Sequence, residues 1–208
     1  KLGDKSFHAD DQLIAQAWIW AARNGAGKAG LAPTLAYFDN VLARRPTGSL
    51  EFVPVAPGRN SSDCTDRWCW CDALFMAPPT LLQLSKITGD QRYAAFAHEE
   101  FKATTDYLYD AEEKLYFRDS RFFGTRDAKA RKQFWSRGNG WVMGGLVRML
   151  QVMDRKDPKR PYYEKLFRDM SARLLTLQKA DGYWPASLLD DDPGTPPETS
   201  GTAFFTYA

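Results

Sequence analysis

The chain has 208 residues, 44% of them hydrophobic and 26% charged, with a formal net charge of +2. That is enough for one domain with a sizeable core. The charge is too near neutral to mark a nucleic-acid or anionic-membrane binder, no apolar run is long enough to span a bilayer, and residue 1 opens no recognisable signal peptide.

The elements read as helix, turn, helix, repeated. "DDQLIAQAWIWAARNG" opens on Asp10 and Asp11 and runs to Gly25, a natural helix stop. "LAPTLAYFDNVLARR" follows, with Leu31, Leu35, Phe38 and Leu42 at helical spacing. "ALFMAPPTLLQLSKITGD" stops at Gly89, and Pro78 and Pro79 predict a late start or a kink there. "QRYAAFAHEEFKATTDYLYD", "GWVMGGLVRMLQVMD" and "RPYYEKLFRDMSARLLTLQKADG" are three further amphipathic helices, and "SGTAFFTYA" begins another. "TGDQRYAAFAHEEF" and "KDPKRPYYEKLFRDM" form a loose internal repeat, each the turn and second helix of an αα-hairpin. Long segments without helical period, at 46–71, 111–136 and 181–199, separate the hairpins. Their Gly, Pro and aromatic content marks ordered functional loops in a single domain over residues 1–208. Stacked hairpins build either an open solenoid or a closed α/α toroid, and recurring long loops favour the toroid, where they gather on one rim.

Cys64, Cys69 and Cys71 lie together in "DCTDRWCWC". An odd, clustered set is no disulfide framework, and with only His8 and His98 in the chain a zinc site lacks its fourth ligand. The expectation is reduced thiols, no metal, no cofactor and a reducing, cytoplasmic setting, with a periplasmic or secreted one as the alternative. Seven tryptophans suit either a large core or platforms for stacking on sugar rings.

Three stretches hold candidate chemistry. In "DRWCWCDALFM", Asp72 sits between thiol-rich aromatics and an apolar run. Such surroundings raise a carboxyl's pKa toward the range of a general acid; the alternative is a simple helix cap. Asp10 and Asp11 begin a helix where one acid suffices for capping. In "WSRGNGW", Gly138 and Gly140 suggest a tight turn that displays Trp135, Arg137, Asn139 and Trp141. A guanidinium fork between indoles suits a sugar acid; equally, the arginine could pair with an internal carboxylate while the indoles plug the barrel end. "LDDDPG", with Asp190, Asp191 and Asp192, reads as a solvated loop rather than a calcium site. Neither histidine has the neighbours for a nucleophilic triad.

The stretches "WCDALFMAPP", "FWSRGNGWVMGGL" and "PETSGTAFFTYA", in that order and spacing, resemble the unsaturated glucuronyl and rhamnogalacturonyl hydrolases, glycoside hydrolase families 88 and 105, and family 105 more closely. The resemblance covers nearly the whole chain. It implies an all-α (α/α)6 barrel, here incomplete at both ends, since about seven helices stand where a closed barrel needs roughly twelve. It implies action on unsaturated uronic-acid oligosaccharides of the rhamnogalacturonan or pectin type, the products of polysaccharide lyases. Asp72 would protonate C4 of the C4=C5 vinyl ether and assist the water that adds at C5. The second acid aligns with Asp10 or Asp11, Asp10 being preferred from its spacing to the helix that follows. Trp70, Trp135, Arg137 and Trp141 match pocket positions, and Ser200 in "ETSG" would help close it. Where some members have a histidine, "YFRDSRFFG" offers Arg118 and Asp119. The competing readings are an inverting glycosidase, which needs a second acid facing Asp72 across the anomeric carbon, and a non-catalytic sugar-binding toroid.

Overall fold

The computed structural model describes residues 7–53, 64–65 and 67–208. Among the described residues the regular structure is helical, apart from a short hairpin of β1 (Tyr109–Asp110) and β2 (Leu115–Tyr116) and isolated bridges. The first expected helix is broken at Ile14 into α1 (Ala9–Leu13) and α2 (Ala15–Ala21), and it ends in a wide turn where Gly25 takes φ 123°. Then come α3 (Ala32–Ala43), α4 (Ala73–Met76), α5 (Pro78–Thr88), α6 (Gln91–Leu108), α7 (Ser136–Val152), α8 (Arg160–Leu177) and α9 (Thr199–Tyr207).

The proline pair divides α4 from α5 at Ala77. Pro78 and Pro79 have no N–H, so the carbonyls of Leu74 and Phe75 lose their helical donors. Gln16 from α2 repairs part of this: its Nε2 donates to the carbonyls of Phe75 and Met76, each at 2.9 Å.

Two walls result. In one, α1 packs on α4, α2 on α5, both α4 and α5 on α7, and α7 on α9. In the other, α3 touches α6, and α6 meets α8 through ring contacts such as Phe101–Tyr163 at 5.1 Å. The hairpins α5–α6 and α7–α8 join the walls at one rim by short turns, the first closed by Gly89 in the left-handed conformation. At the other rim three long segments each lead from the second wall into a helix of the first. They are tied to one another there: Cys71 N–H donates to Arg118 O at 2.9 Å, Ser136 N–H to Ala186 O and Leu188 N–H to Phe134 O, both at 2.8 Å. The gathering of the loops on one rim is thus a physical fact of the fold.

Two expectations are corrected. Gly138 and Gly140 are not in a turn; they lie inside α7, and neither has a positive φ. What they provide, with Gly144 and Gly145, is closeness. A Cβ at Gly145 would lie 2.3 Å from the Leu74 carbonyl oxygen, and one at Gly140 2.8 Å from Phe204 Cβ. The bare face of α7 therefore lets α4 and α9 approach at backbone range. Second, Cys64 and Cys69 are joined by a disulfide and only Cys71 is a free, buried thiol. The thiols accordingly carry no argument for a reducing compartment.

The tryptophans divide. Trp68 and Trp184 are core residues, anchored by indole hydrogen bonds to Gln12 Oε1 (3.1 Å) and Leu174 O (2.8 Å). Trp18 and Trp20 of α2 are exposed. Trp70, Trp135 and Trp141 cluster where the long loops meet the first wall.

Candidate active site

In the first wall α1, α4, α7 and α9 begin at the long-loop rim and present their positive ends there. The candidate residues sit at those starts: Asp10 on α1, Asp72 just before α4, Arg137 in the first turn of α7, and Glu198 and Ser200 at the start of α9.

Asp72 does not cap its helix. Its backbone is already helical (φ −56°, ψ −32°) and its side chain makes no cap hydrogen bond. A capping residue needs extended backbone for its oxygen to reach back to the second or third N–H. Instead Oδ1 accepts from the Cys71 thiol, with Sγ at 3.4 Å. Loss of hydration among the surrounding apolar groups raises the Asp72 pKa above its ordinary value, and the nearby Asp10 charge adds to that. The Cys71 hydrogen bond and the Arg118 guanidinium act against it. Burial, first, and then the charge of Asp72 push the Cys71 thiol up as well, so it remains a donor.

The two acids of α1 diverge. The Asp10 charge acts on Asp72, and Asp10 is exposed. The Asp11 charge acts on Tyr37 of α3, whose hydroxyl is pushed up mainly by burial. Asp10 is thus the member that faces the α4 carboxyl.

From Asp72 a continuous set of contacts crosses the rim. Arg118, within electrostatic reach of Asp72, lies 5.7 Å from the centroid of the Trp135 ring. Arg137 lies 4.3 Å over that ring, and its Nη1 is 3.6 Å from Glu198 Oε1. At that separation, with 46% of its side chain exposed, Arg137 is not saturated by its partner. Glu198 is spent on local work: it accepts from the Gly201 N–H, and the Ser200 hydroxyl donates to Oε1 at 2.5 Å. Ser200 therefore holds Glu198 in place. Trp141, one turn beyond Arg137, is half-buried between Phe75 (4.7 Å) and Phe204 (4.4 Å), where it joins α4, α7 and α9. Trp70 is buried edge-on to His8 at 5.3 Å, and its indole N–H has no acceptor among the described residues.

Asn139 is a correction. It is fully buried; Oδ1 accepts from the Tyr116 N–H at 2.8 Å, and Nδ2 donates to the carbonyls of Tyr116 and Trp135, both at 3.0 Å. It clamps the β2 strand to the start of α7 and has no donor left for a sugar. The acids of "LDDDPG" are likewise occupied: Asp191 binds Arg131 at 2.6 Å and Lys129 at 2.5 Å, and Asp190 accepts from Thr195 at 2.7 Å. The sequence reading passed over Arg118 and Glu198 as site residues. Arg118 stands in the departing stretch "YFRDSRFFG", and Glu198 lies within "PETSG", where Ser200 and not the acid is the candidate.

A cavity of about 510 Å3 lies at the short-turn rim beside His98 and Lys159. His98 Nδ1 is committed there to the Tyr163 hydroxyl at 2.9 Å. The perturbed acid is at the opposite rim, and we place the site with the acid.

Hairpins in two walls, with a perturbed acid and exposed cations on the long-loop rim, make an α/α-hairpin protein with a candidate acid site at one rim. Residues 3–208 match the Glycosyl Hydrolase Family 88 profile, and the chain belongs to that family. It is 38% identical, over 98% of its length, to the unsaturated 3S-rhamnoglycuronyl hydrolase of Alteromonas sp. (strain LOR), and 39% identical, over 97%, to that of Formosa agariphila. The matched regions are 50% and 54% of those proteins, so the chain spans about half the length of these curated relatives. Among solved structures it resembles a glycosyl hydrolase family 88 protein from Bacteroides vulgatus, with 27% identity and a TM-score of 0.81 over 96% of this chain and 53% of that one. A chain named Polysaccharide Lyase BACCELL_00875 is similar too, with 29% identity and a TM-score of 0.80 over 96% and 52%. The chain is mostly helical, as expected, and its two walls correspond to about half of the (α/α)6 barrel that its family 88 and 105 structural neighbours have.

Proposed function

We propose that the protein removes the terminal unsaturated uronate from polysaccharide-lyase products by hydrating its C4=C5 bond. The observation that carries this is the Asp72 carboxyl: at a helix start, relieved of capping, in contact with the Cys71 thiol, and with its pKa raised by burial and by Asp10. A carboxyl shifted in that direction suits a general acid. It gives its proton to C4, and the positive charge that develops at C5 is shared with the ring oxygen. Water adds at C5 and returns a proton to Asp72. The hemiketal so formed opens, the glycosidic bond breaks, and a keto sugar and the shortened oligosaccharide leave. Because attack is not at the anomeric carbon, the carboxylate-separation rule of ordinary glycosidases does not apply.

The other groups take supporting roles. Arg137 exchanges its long contact with Glu198 for the uronate carboxylate, where a bidentate fork is stronger. Trp135 offers a ring face to the sugar, and the Trp70 N–H finds its missing acceptor in a substrate oxygen. Asp10 holds charge beside Asp72. For the substrate, the likeness to the two rhamnoglycuronyl hydrolases favours a uronyl–rhamnose unit. The Cys64–Cys69 bridge supports an oxidising compartment; alkylation with and without reductant should differ by two groups.

The lyase-named neighbour gives a second reading, β-elimination that creates the same double bond. Ultraviolet absorbance of the conjugated uronate separates the two. The intact protein, given a lyase-generated unsaturated disaccharide, should remove the absorbance, and Asp72→Asn should not. Rising absorbance on a saturated polysaccharide would establish the lyase reading, and no change on either would overturn both.

A further inference from the structure

Cys71 is the chain's one free thiol, and it is fully buried immediately before the proposed acid. Three contacts fix it there. Its N–H donates to Arg118 O at 2.9 Å. Its sulfur rests on the bare face of α7, where a Cβ at Gly138 would lie 3.0 Å from Sγ and 2.9 Å from Trp135 Cε3. Any side chain at position 138 would press on the sulfur, so the first glycine of the α7 start clears its place. The S–H, finally, has Asp72 Oδ1 as its acceptor, 3.4 Å from Sγ.

A thiol beside a carboxyl either reacts itself or acts on the acid. Reaction needs a thiolate. Burial first, then the charge of Asp72 and the hydrogen bond to it, and more weakly Asp119, hold the Cys71 thiol well above its ordinary range, against the opposing charge of Arg118. The proton stays on sulfur, and the thiol is a donor. A donor on one side makes the two oxygens of a carboxyl unequal. The carbonyl oxygen of a neutral carboxyl is its better acceptor, so with Oδ1 taking the S–H the acid's own proton sits on Oδ2.

We propose that Cys71 is a positioning residue for the general acid: its S–H holds Oδ1 and thereby keeps the proton destined for C4 on Oδ2. The proposal rests on the hydrolase reading above and assigns that reaction's proton to one atom. The Oδ2–H bond breaks as the C4–H bond forms, its electron pair stays on the carboxylate, and the S–H bond is kept throughout. The hydrogen bond from sulfur strengthens as Asp72 takes up the negative charge. When water adds at C5 its proton returns to Oδ2, and the thiol ends as it began. The charges that face Asp72 are Asp10 of α1 and Arg118 of the segment between β2 and α7; α7 meets the thiol with Gly138 and the Trp135 ring.

The test reads the thiol and the reaction separately, on the intact protein without reductant. Cys71 alone then supplies the S–H stretching band in the infrared. The band should move to lower frequency as pH rises through the titration of Asp72, because a carboxylate is the stronger acceptor, and Asp72→Asn should abolish the movement. A band that ignores pH, or moves equally in Asp72→Asn, overturns the proposal whether or not any cysteine variant folds. Kinetics on a lyase-generated unsaturated disaccharide supply the second arm. Cys71→Ala should lower kcat about tenfold with KM within about twofold, as misplacement of a reacting group does. Its basic limb of kcat against pH should also move up, since the lost donor had favoured the carboxylate. Cys71→Ser, which keeps a donor, should return the limb to the wild-type pH or below. A limb that stays or falls in Cys71→Ala, or rises equally in Cys71→Ser, would sink the proposal and leave the hydrolase reading intact. Wild-type protein that consumes no such disaccharide fails the hydrolase reading, and this proposal with it.

Discussion

Two aspartates stand immediately before helices at opposite rims, and they behave in opposite ways. Asp90, before α6 on the short-turn rim, has extended backbone, accepts the Arg92 N–H at 2.9 Å and is gripped by the Arg92 guanidinium. Those hydrogen bonds hold its carboxyl below the ordinary value. Asp72, before α4 on the long-loop rim, has helical backbone, no cap bond and a raised pKa. The same residue at the same kind of position has its pKa lowered where hydrogen bonds hold its charge and raised where burial outweighs them. Asp90 follows the capping rule; Asp72 sets it aside where the chemistry is proposed.

The largest break in the comparison is kinetic. Asp72→Asn should lower consumption of the unsaturated substrate by about 10²–10⁴-fold, the usual worth of general acid–base catalysis, while Asp90→Asn leaves it within about twofold. Comparable losses in both variants would end the distinction. Next comes the helix that positions Asp72. Gly145→Ala puts a Cβ against the Leu74 carbonyl, and overpacking of that kind costs about 1–3 kcal/mol; calorimetry should show the loss, and activity should fall with it.

A smaller effect has the sign that separates a functional acid from a cap. With the folded pKa of Asp72 raised, the folded state binds the proton more tightly than the unfolded chain does. Stability therefore falls as pH rises from the ordinary 3.8 through the folded value, and the loss is complete above it. Asp72→Asn removes that loss, so its Tm at pH 7 should exceed the wild type's by about 1–4 °C, with the two converging below about pH 4. A lower Tm would restore the capping interpretation. Smallest is Asp90→Ala, which should lower Tm by roughly 1–4 °C near neutrality. The lowered carboxyl of Asp90 stabilises above 3.8 and ceases to as pH falls through its folded value, so this difference should vanish in acid.

Local periodicity made the hairpins legible: α6 and α8 lie where the apolar stripes of "QRYAAFAHEEF" and "YYEKLFRDM" put them, and the proline pair divides α4 from α5. What escaped was non-local. Glycine's weak helix propensity made "RGNG" read as a turn, but the close approach of α4 and α9 calls for a bare helix there. Asn139 looked displayed because its partner, Tyr116, belongs to a distant strand. Asp10 and Asp11 are interchangeable until α4 lies beside α1. Counting three cysteines could not reveal that two of them pair. Arg118 gains its place beside Asp72 through the loop-to-loop bond between Cys71 N–H and its own carbonyl.

The shortness of α4 has a kinetic corollary. Four residues contain too few internal hydrogen bonds to nucleate a helix alone. The segment takes its shape from the Gln16 amide and the bare face of α7, elements that come from before and after it in the chain. In refolding, far-ultraviolet dichroism should therefore recover through the long helices before catalytic competence does. The proposed acid is among the last groups to reach its place.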